Sequence, residues 1–350
     1  MFRAILLRQV TRRLEIGGVL QYVCTPRGSI MARKGGSETE TDGTTGQWLV
    51  DRALRMAIWS AMRLSYERRV PLFGALARAA TRAIPNFQRR MLDNLDHVWP
   101  DRPLEERRAI ARASADNIGR TLIEHYSMQE LAQRMADVEP EGPGWEVLRT
   151  TQEAGKPAIL ITGHYGNHEM AFICLTARGI SAGGLYRPMQ NPFVNQHYVD
   201  AVAALGLGPL FEQGRAGMGR LLRHLRGGGT AIILNDLYVG GGIEMDFLGK
   251  PARTALSSAE FALKMDAPLI PFYGIRQPDG LSFRFVLEAP IPPGTPEEMT
   301  AAFNRSLEAR ILEDPGQWFW LHRRWKRKWQ GGKGMVPGLH PAELPRQKSR

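Results

Sequence analysis

From Pro157 onward the chain repeats one rhythm, in which short apolar runs alternate with segments of helical periodicity. The runs are Ala158 to Thr162, Gly184 to Tyr186, Pro209 to Phe211, Ala231 to Leu234, Leu269 to Tyr273 and Phe283 to Leu287. Helical segments centred near Ala171, Val199, Leu222, Phe261 and Ser306 separate most of them. That alternation is the pattern of an α/β fold, a mostly parallel sheet flanked by helices. Gln277-Pro-Asp-Gly280 is a turn signal between the last two runs, which makes them an antiparallel hairpin near the C-terminus.

The chain before this region reads differently. From Trp48 to about Met135 apolar residues such as Leu49, Ala53, Met56, Ala57 and Leu64 recur at helical spacing, with arginines on complementary positions. Pro71, Pro85, Pro100 and Pro103 divide the region into several helices, and Pro103 with Glu105 and Glu106 reads as a first helical turn. The loop from Glu139 to Gly144 marks the change of rhythm. Four parts are expected: a polar extension over 1–46, a helical membrane-associating part over 47–140, the α/β domain over 141–330 and a basic tail over 331–350.

Charge narrows the partners. The 46 Lys and Arg against 35 Asp and Glu leave a net charge of +11, which favours polyanions, either an anionic membrane or nucleic acid. Cys24 and Cys174 match no disulfide framework or zinc-ligand spacing, and a reducing compartment suits them. Arg3, Arg8, Arg12 and Arg13 interrupt the first apolar stretches, so a secretory signal is not expected, and Met31 is an alternative start. No run reaches the roughly 18 to 20 apolar residues of a spanning helix. Gly227-Gly-Gly229 and Gly240-Gly-Gly242 lack the context of a phosphate loop, so no nucleotide cofactor is expected, and no metal is required.

The chemistry concentrates after the first apolar run. Pro157-Ala-Ile-Leu-Ile-Thr-Gly-His164 reads as a buried strand that delivers His164 just past its carboxyl end, where open α/β sheets place ligands. Asn167 can cap a helix from His168 to about Arg178, closed by Gly179, which puts Glu169 in its first turn. The strand-to-helix turn lets His164 and Glu169 converge. An ionised Glu169 would then fix the imidazole tautomer and leave the other ring nitrogen basic, making His164 a general base. His168 reads as a flanking residue. An isolated six-residue pattern equally fits a turn histidine beside a first-turn acid.

Gly155-Lys-Pro-Ala-Ile-Leu-Ile-Thr-Gly-His-Tyr-Gly-Asn-His-Glu169 resembles the first motif of the late acyltransferases of lipid A biosynthesis. Three further blocks agree in order: Tyr186 to Pro192, then Asn235-Asp236 with Met245 to Thr254, then Asp314-Pro-Gly-Gln-Trp-Phe-Trp-Leu-His-Arg-Arg-Trp-Lys326. The resemblance covers roughly 50–328. It implies transfer of an acyl chain from acyl carrier protein, or an acyl-CoA, to a hydroxyl of a lipid A precursor at the cytoplasmic face of the inner membrane. It also implies His164 and Glu169 as the catalytic pair. Arg187 matches a basic residue suited to an oxyanion or phosphate. Asp236, at a strand end on the edge that carries His164, would orient Arg187 or another cation, or serve as a cap. Arg253, and less directly Thr254, would meet an anionic head group, as would His322, Arg323 and Arg324.

Other readings stay open on the sequence. The acceptor can instead be a glycerophospholipid, an aminolipid or a mannosylated lipid, although glycerolipid enzymes typically carry aspartate where this chain has Glu169. Water in place of the acceptor would give a thioesterase. The basic, aromatic stretch through Trp325, Lys326, Arg327, Lys328 and Trp329 suits a membrane interface and also nucleic acid, but no nucleic-acid-binding signature accompanies it. Family members commonly begin with a transmembrane helix. Here only the seven residues Met56 to Met62 lie between Arg55 and Arg63, so a monotopic or peripheral helix burying Leu54, Ile58 and Trp59 is expected, with Arg52, Arg55 and Arg63 at the head groups.

Overall fold

The structure, a computed structural model, describes residues 43–325 apart from residue 205. Cys24, Met31, the stretch from Lys326 to Trp329, the 331–350 tail and most of the 1–46 extension lie outside the described residues. In chain order the elements are α1 (Thr45–Ala61), α2 (Tyr66–Ala83), α3 (Pro85–Val98), α4 (Leu104–His125), α5 (Met128–Arg134), α6 (Gly144–Glu153), β1 (Ala158–Thr162), α7 (Met170–Thr176), β2 (Ala182–Tyr186), α8 (Pro192–Ala204) and β3 (Leu210–Glu212). Then follow α9 (Arg215–Arg226), β4 (Thr230–Leu234), β5 (Ile243–Phe247), β6 (Lys250–Thr254), α10 (Ser257–Met265), β7 (Leu269–Arg276), β8 (Phe283–Leu287), α11 (Pro296–Glu313) and a 3-10 turn (Pro315–Gln317).

Two compact units emerge. The smaller takes the described residues up to Arg63 together with Pro188–Asp200, and the larger takes Leu64–Arg187 with the described residues from Ala201 onward. Within the smaller unit, Thr44 caps α1 through a capping box with Gln47, and Asn191 donates to the Gln47 carbonyl at 2.8 Å. Asp51 is fully buried and ion-paired with Arg52 and Arg55, each at 2.8 Å.

The larger unit holds a six-stranded sheet in the order β3-β2-β4-β1-β7-β8, parallel except for the final β7–β8 pair. This is the expected α/β architecture, with the hairpin where Gln277 to Gly280 placed it. β1 and β8 have the predicted bounds, while β7 runs on to Arg276 and β2 begins earlier at Ala182. β1 is central and every residue in it is buried, which accounts for its lack of charge.

A second, two-stranded sheet of β5 and β6 was not among the expected apolar runs. Its signal is alternation: Glu244 and Asp246 interleave with Ile243, Met245 and Phe247, as in a strand with one buried face. Leu248 and Gly249 join the strands with φ of 52° and 69°, the positive values of a two-residue type I′ hairpin. Leu248 is held there by its N–H, which donates to Glu308 at 2.8 Å.

The core lies between the sheet and α3, α4, α10 and α11, and it takes in Trp318, Trp320 and Trp325. Trp325 is only 7% exposed and stands 5.9 Å from Trp318 and 6.0 Å from Phe247, ring centre to ring centre. Its expected place at a membrane interface is therefore corrected: the indole is an interior packing group. Ile58 is likewise buried at 5% exposure, so it is not part of the apolar face that α1 leaves open.

Candidate active site

The site forms where β1 and β4 end side by side. These strands are parallel neighbours in the register Thr162↔Leu234, so the residue two positions beyond each end, His164 and Asp236, emerge together at the carboxyl edge. The His164 Nδ1 lies 2.8 Å from Asp236 Oδ1, and the His164 backbone N–H donates to Oδ2 at 2.8 Å. Trp318 adds a third donor, its indole N–H reaching Oδ2 at 2.9 Å. Burial by itself would raise the Asp236 carboxyl, which is 1% exposed, but the charge and hydrogen bonds of His164 outweigh it and hold it well below the ordinary carboxylate range. An ionised Asp236 makes Nδ1 the protonated nitrogen and leaves the Nε2 lone pair of His164 as a base.

Glu169 sits elsewhere. Its carboxylate meets His125 Nδ1 at 2.8 and 3.0 Å, and both side chains are buried. The carboxylate on the His164 ring is thus Asp236, whereas Glu169 meets His125. The reason is local. Asn167 does cap the turn, accepting the Glu169 N–H at 3.0 Å, but α7 begins at Met170, so Glu169 is the residue before the helix and turns toward the end of α4.

A buried network fixes that loop. The Asn117 amide donates to the Gly166 carbonyl at 2.9 Å, and Asn167 donates to Glu124 at 2.9 Å. Arg276, at the end of β7, binds Glu124 through both terminal nitrogens at 2.5 and 2.8 Å and Asn117 through Nε at 2.8 Å. Asn117, Thr121, Glu124 and His125 recur on one face of α4, so that helix is the platform for the segment after β1. Gly166 has φ +57° and bridges to Gly274, whose carbonyl would lie 2.0 Å from any Cβ placed there. Only glycine fits that approach.

His168 and His322 flank the His164 ring, with centres at 5.1 and 4.5 Å. Burial, reinforced by His164, pushes His168 down to about 4 and His322 to about 3. Both rings are therefore neutral at neutral pH. The Nε2 of His322 is buried and has no hydrogen-bond partner, a polar atom available to a substrate.

The remaining expected residues scatter. Arg187 is exposed just past β2, separated from the His164 strand by β4, and Asp236 is engaged with His164 and Trp318 instead of orienting it. Arg253 reaches the Gly240 carbonyl at 2.6 Å and lies in β6. Arg323 is exposed. Arg324 is fully buried, and its guanidinium donates to the Leu237 and Arg253 carbonyls at 3.2 and 2.8 Å and to Thr254 at 2.6 Å. Burial pushes it down to about 10. The head-group role expected of Arg324 gives way to a structural one, tying the chain end to β6. Among the described residues, no three His, Cys, Asp or Glu side chains are grouped to hold a metal ion.

A parallel sheet that holds a histidine–carboxylate pair at its carboxyl edge has the arrangement of a candidate enzyme site. The model of the bacterial lipid A biosynthesis acyltransferases matches residues 41–327, and the chain belongs to that family and is an acyltransferase. It is 25% identical over 282 residues to the lipid A biosynthesis lauroyltransferase of Escherichia coli (strain K12), covering 78% of this chain and 90% of that protein. It is 25% identical over 248 residues to the lipid A biosynthesis acyltransferase of Haemophilus influenzae, covering 67% and 76%. A phosphatidylinositol mannoside acyltransferase of Mycobacterium tuberculosis is also 25% identical, over 52% of this chain and 58% of that protein.

The neutral histidines make stability depend on pH. Their folded values of about 4 and about 3 lie below the ordinary 6.5, so the unfolded chain binds more protons in the window between them. Their contribution is complete above about pH 6.5 and is lost as pH falls toward the folded values. Urea midpoints should drop between about pH 7 and pH 4.5, and His322→Gln should flatten that drop. A variant with the wild-type slope would contradict the assignment.

Proposed function

We propose that the protein transfers a fatty acyl group from acyl carrier protein, or from an acyl-CoA, to a hydroxyl of a lipid A precursor. The observation that carries the reading is the His164–Asp236 pair at the carboxyl edge of β1 and β4, in a chain of this family. In the proposed mechanism, Asp236 accepts the Nδ1 proton and holds the ring. Nε2 takes the proton of the acceptor hydroxyl as its oxygen attacks the thioester carbonyl. Backbone N–H groups steady the negative charge on that carbonyl oxygen, the thiolate of the carrier leaves, and the proton on Nε2 neutralises it. Glu169, paired with His125, has an indirect role: it holds the segment after β1 against the end of α4 and so keeps His164 in place.

Membrane contact at the cytoplasmic face of the inner membrane is part of the proposal. No helix among the described residues is long and apolar enough to cross a membrane. On α1, Trp48, Leu49, Met56 and Trp59 are exposed, and Arg52 and Arg63 lie over the Trp48 and Trp59 rings at 5.6 and 3.1 Å. Tryptophans interleaved with arginines on one helix face suit an interface where rings enter the acyl boundary and guanidinium groups meet phosphates. On α2 and α3 of the larger unit, Leu72, Leu76 and Phe87 are exposed as well.

Kinetics separates the two carboxylates. Asp236→Asn should lower kcat by about 1,000- to 10,000-fold through loss of the ring's tautomer and charge partner. Glu169→Gln, one step removed, should cost only about 10- to 100-fold. The reverse order would return the orienting role to Glu169.

The acceptor is tested in cells. Deletion of the gene should remove one secondary acyl chain from lipid A in the mass spectrum, and alkaline carbonate should release the protein from membranes. An unchanged lipid A spectrum with altered mannosylated or glycerophospholipids would move the acceptor to that class, and retention after carbonate would show an integral anchor.

A further inference from the structure

Arg90, which no sequence motif singled out, lies on α3 near the segment that carries His322. Asn94 fixes the geometry: its amide donates to the Trp320 carbonyl at 2.8 Å and to the His322 carbonyl at 2.5 Å. One turn further along α3, the His97 ring packs edge-on to Trp325 at 5.7 Å. The face of α3 carrying residues 94 and 97 thus lies along the 320–325 segment. Arg90 precedes Asn94 by four residues, one helical turn, and so shares that face. Arg323 follows His322 directly. The two arginines therefore flank the Asn94–His322 contact, and the His322 ring itself touches His164 at 4.5 Å.

Among the described residues neither guanidinium is paired with a carboxylate, unlike Arg69, Arg120, Arg276 and Arg310. Arg90 is half-buried. Burial, with the like charge of Arg323, lowers its proton affinity, as expected of two close cations with no anion between them. Holding such a pair together is unfavourable until a dianion enters, and guanidinium forks match phosphate oxygens in pairs.

We propose that Arg90 and Arg323 form a phosphate-binding subsite beside His164, which receives a phosphate group of one of the two substrates. The inference rests on the acyltransferase reading above and deepens it. Both substrates can supply that chemistry: the phosphopantetheine arm of the donor, or a phosphorylated sugar of the acceptor. The neutral imidazole of His322, with its unpartnered Nε2, lies between this subsite and the base, within the path a bound substrate would take.

The test compares kcat/KM for matched substrates in the full-length protein. The donor arm uses an acyl-CoA against the same acyl chain on N-acetylcysteamine, which has no phosphate. The acceptor arm uses the phosphorylated glycolipid against its phosphatase-treated form. In one arm, Arg90→Gln and Arg323→Gln should each reduce the preference for the phosphate-bearing substrate by about 10- to 100-fold, the loss of charge-assisted hydrogen bonds, and mainly through KM. The arm that responds identifies the source of the phosphate. Arg90→Lys, which keeps the charge, should retain part of the preference. If Arg90→Gln fails to fold, Arg323→Gln, at an exposed position, carries the same test. Unchanged preference in both arms, with active variants, would overturn the subsite and leave the proposed function standing. Wild-type protein that transfers acyl groups neither from these donors nor from acyl carrier protein would overturn the proposed function itself.

Discussion

Asp236 is a carboxylate that receives three hydrogen bonds in a place with almost no water, and the order of the site follows from it. Two of its donors come from His164, ring and backbone, and the third from Trp318. A carboxylate so supplied stays ionised despite burial, because removing its charge would strand donors that have no alternative partner. The ring of His164 is thereby fixed in one tautomer, and the C-terminal segment is fixed against the sheet. That second effect is carried further by the bridge between Tyr165 and Trp318 and by the Phe319 N–H, which donates to the His164 carbonyl at 3.0 Å. The carboxyl end of β1 and the final described segment are thus held as one piece.

The other side of the loop is held by charge as well. Glu124 and Arg276 are both buried, and a buried pair is stable only when nearly every donor and acceptor is used. Here Asn117, Asn167 and Tyr66 complete it, with the Tyr66 hydroxyl donating to Glu124 at 3.3 Å. Such an arrangement contributes little net stability compared with apolar packing, but it admits few alternative geometries. It suits a segment that must hold His164 and Glu169 in fixed places while remaining at the edge of the fold.

Local features were legible in the sequence. The apolar run ending in Gly163-His164 gave a strand with the observed bounds and Gln277 to Gly280 gave the hairpin, whereas Asn167 closes the turn before α7 instead of capping a helix from His168. Those features are set by residues a few positions apart. The pairing of His164 with Asp236 spans 72 positions and depends on β4 lying next to β1, an adjacency that periodicity cannot supply. The contact of Glu169 with His125 spans 44 positions and depends on where α4 ends. The same limit applies to Trp325 and Arg324. A run rich in Trp, Arg and Lys has the composition of an interface, and only packing against Trp318, Phe247 and Thr254 turns these two side chains inward.

Composition also blurred two different uses of arginine. Arg276 and Arg324 are interior, Arg276 held by Glu124 and Asn117 and the terminal nitrogens of Arg324 by Thr254 and backbone carbonyls, so both add to the net charge from inside the fold. Arg52 and Arg63 lie over tryptophan rings on an exposed helix face, where the cation and the ring present one amphipathic surface. Arg90 and Arg323 are neither neutralised nor stacked in this way. The excess of positive charge thus divides into a buried part that builds the site and a surface part that suits a lipid boundary. Arg90 and Arg323 are a third, uncompensated use near His322, and the proposed subsite would give that pair to an anion that arrives with the substrate.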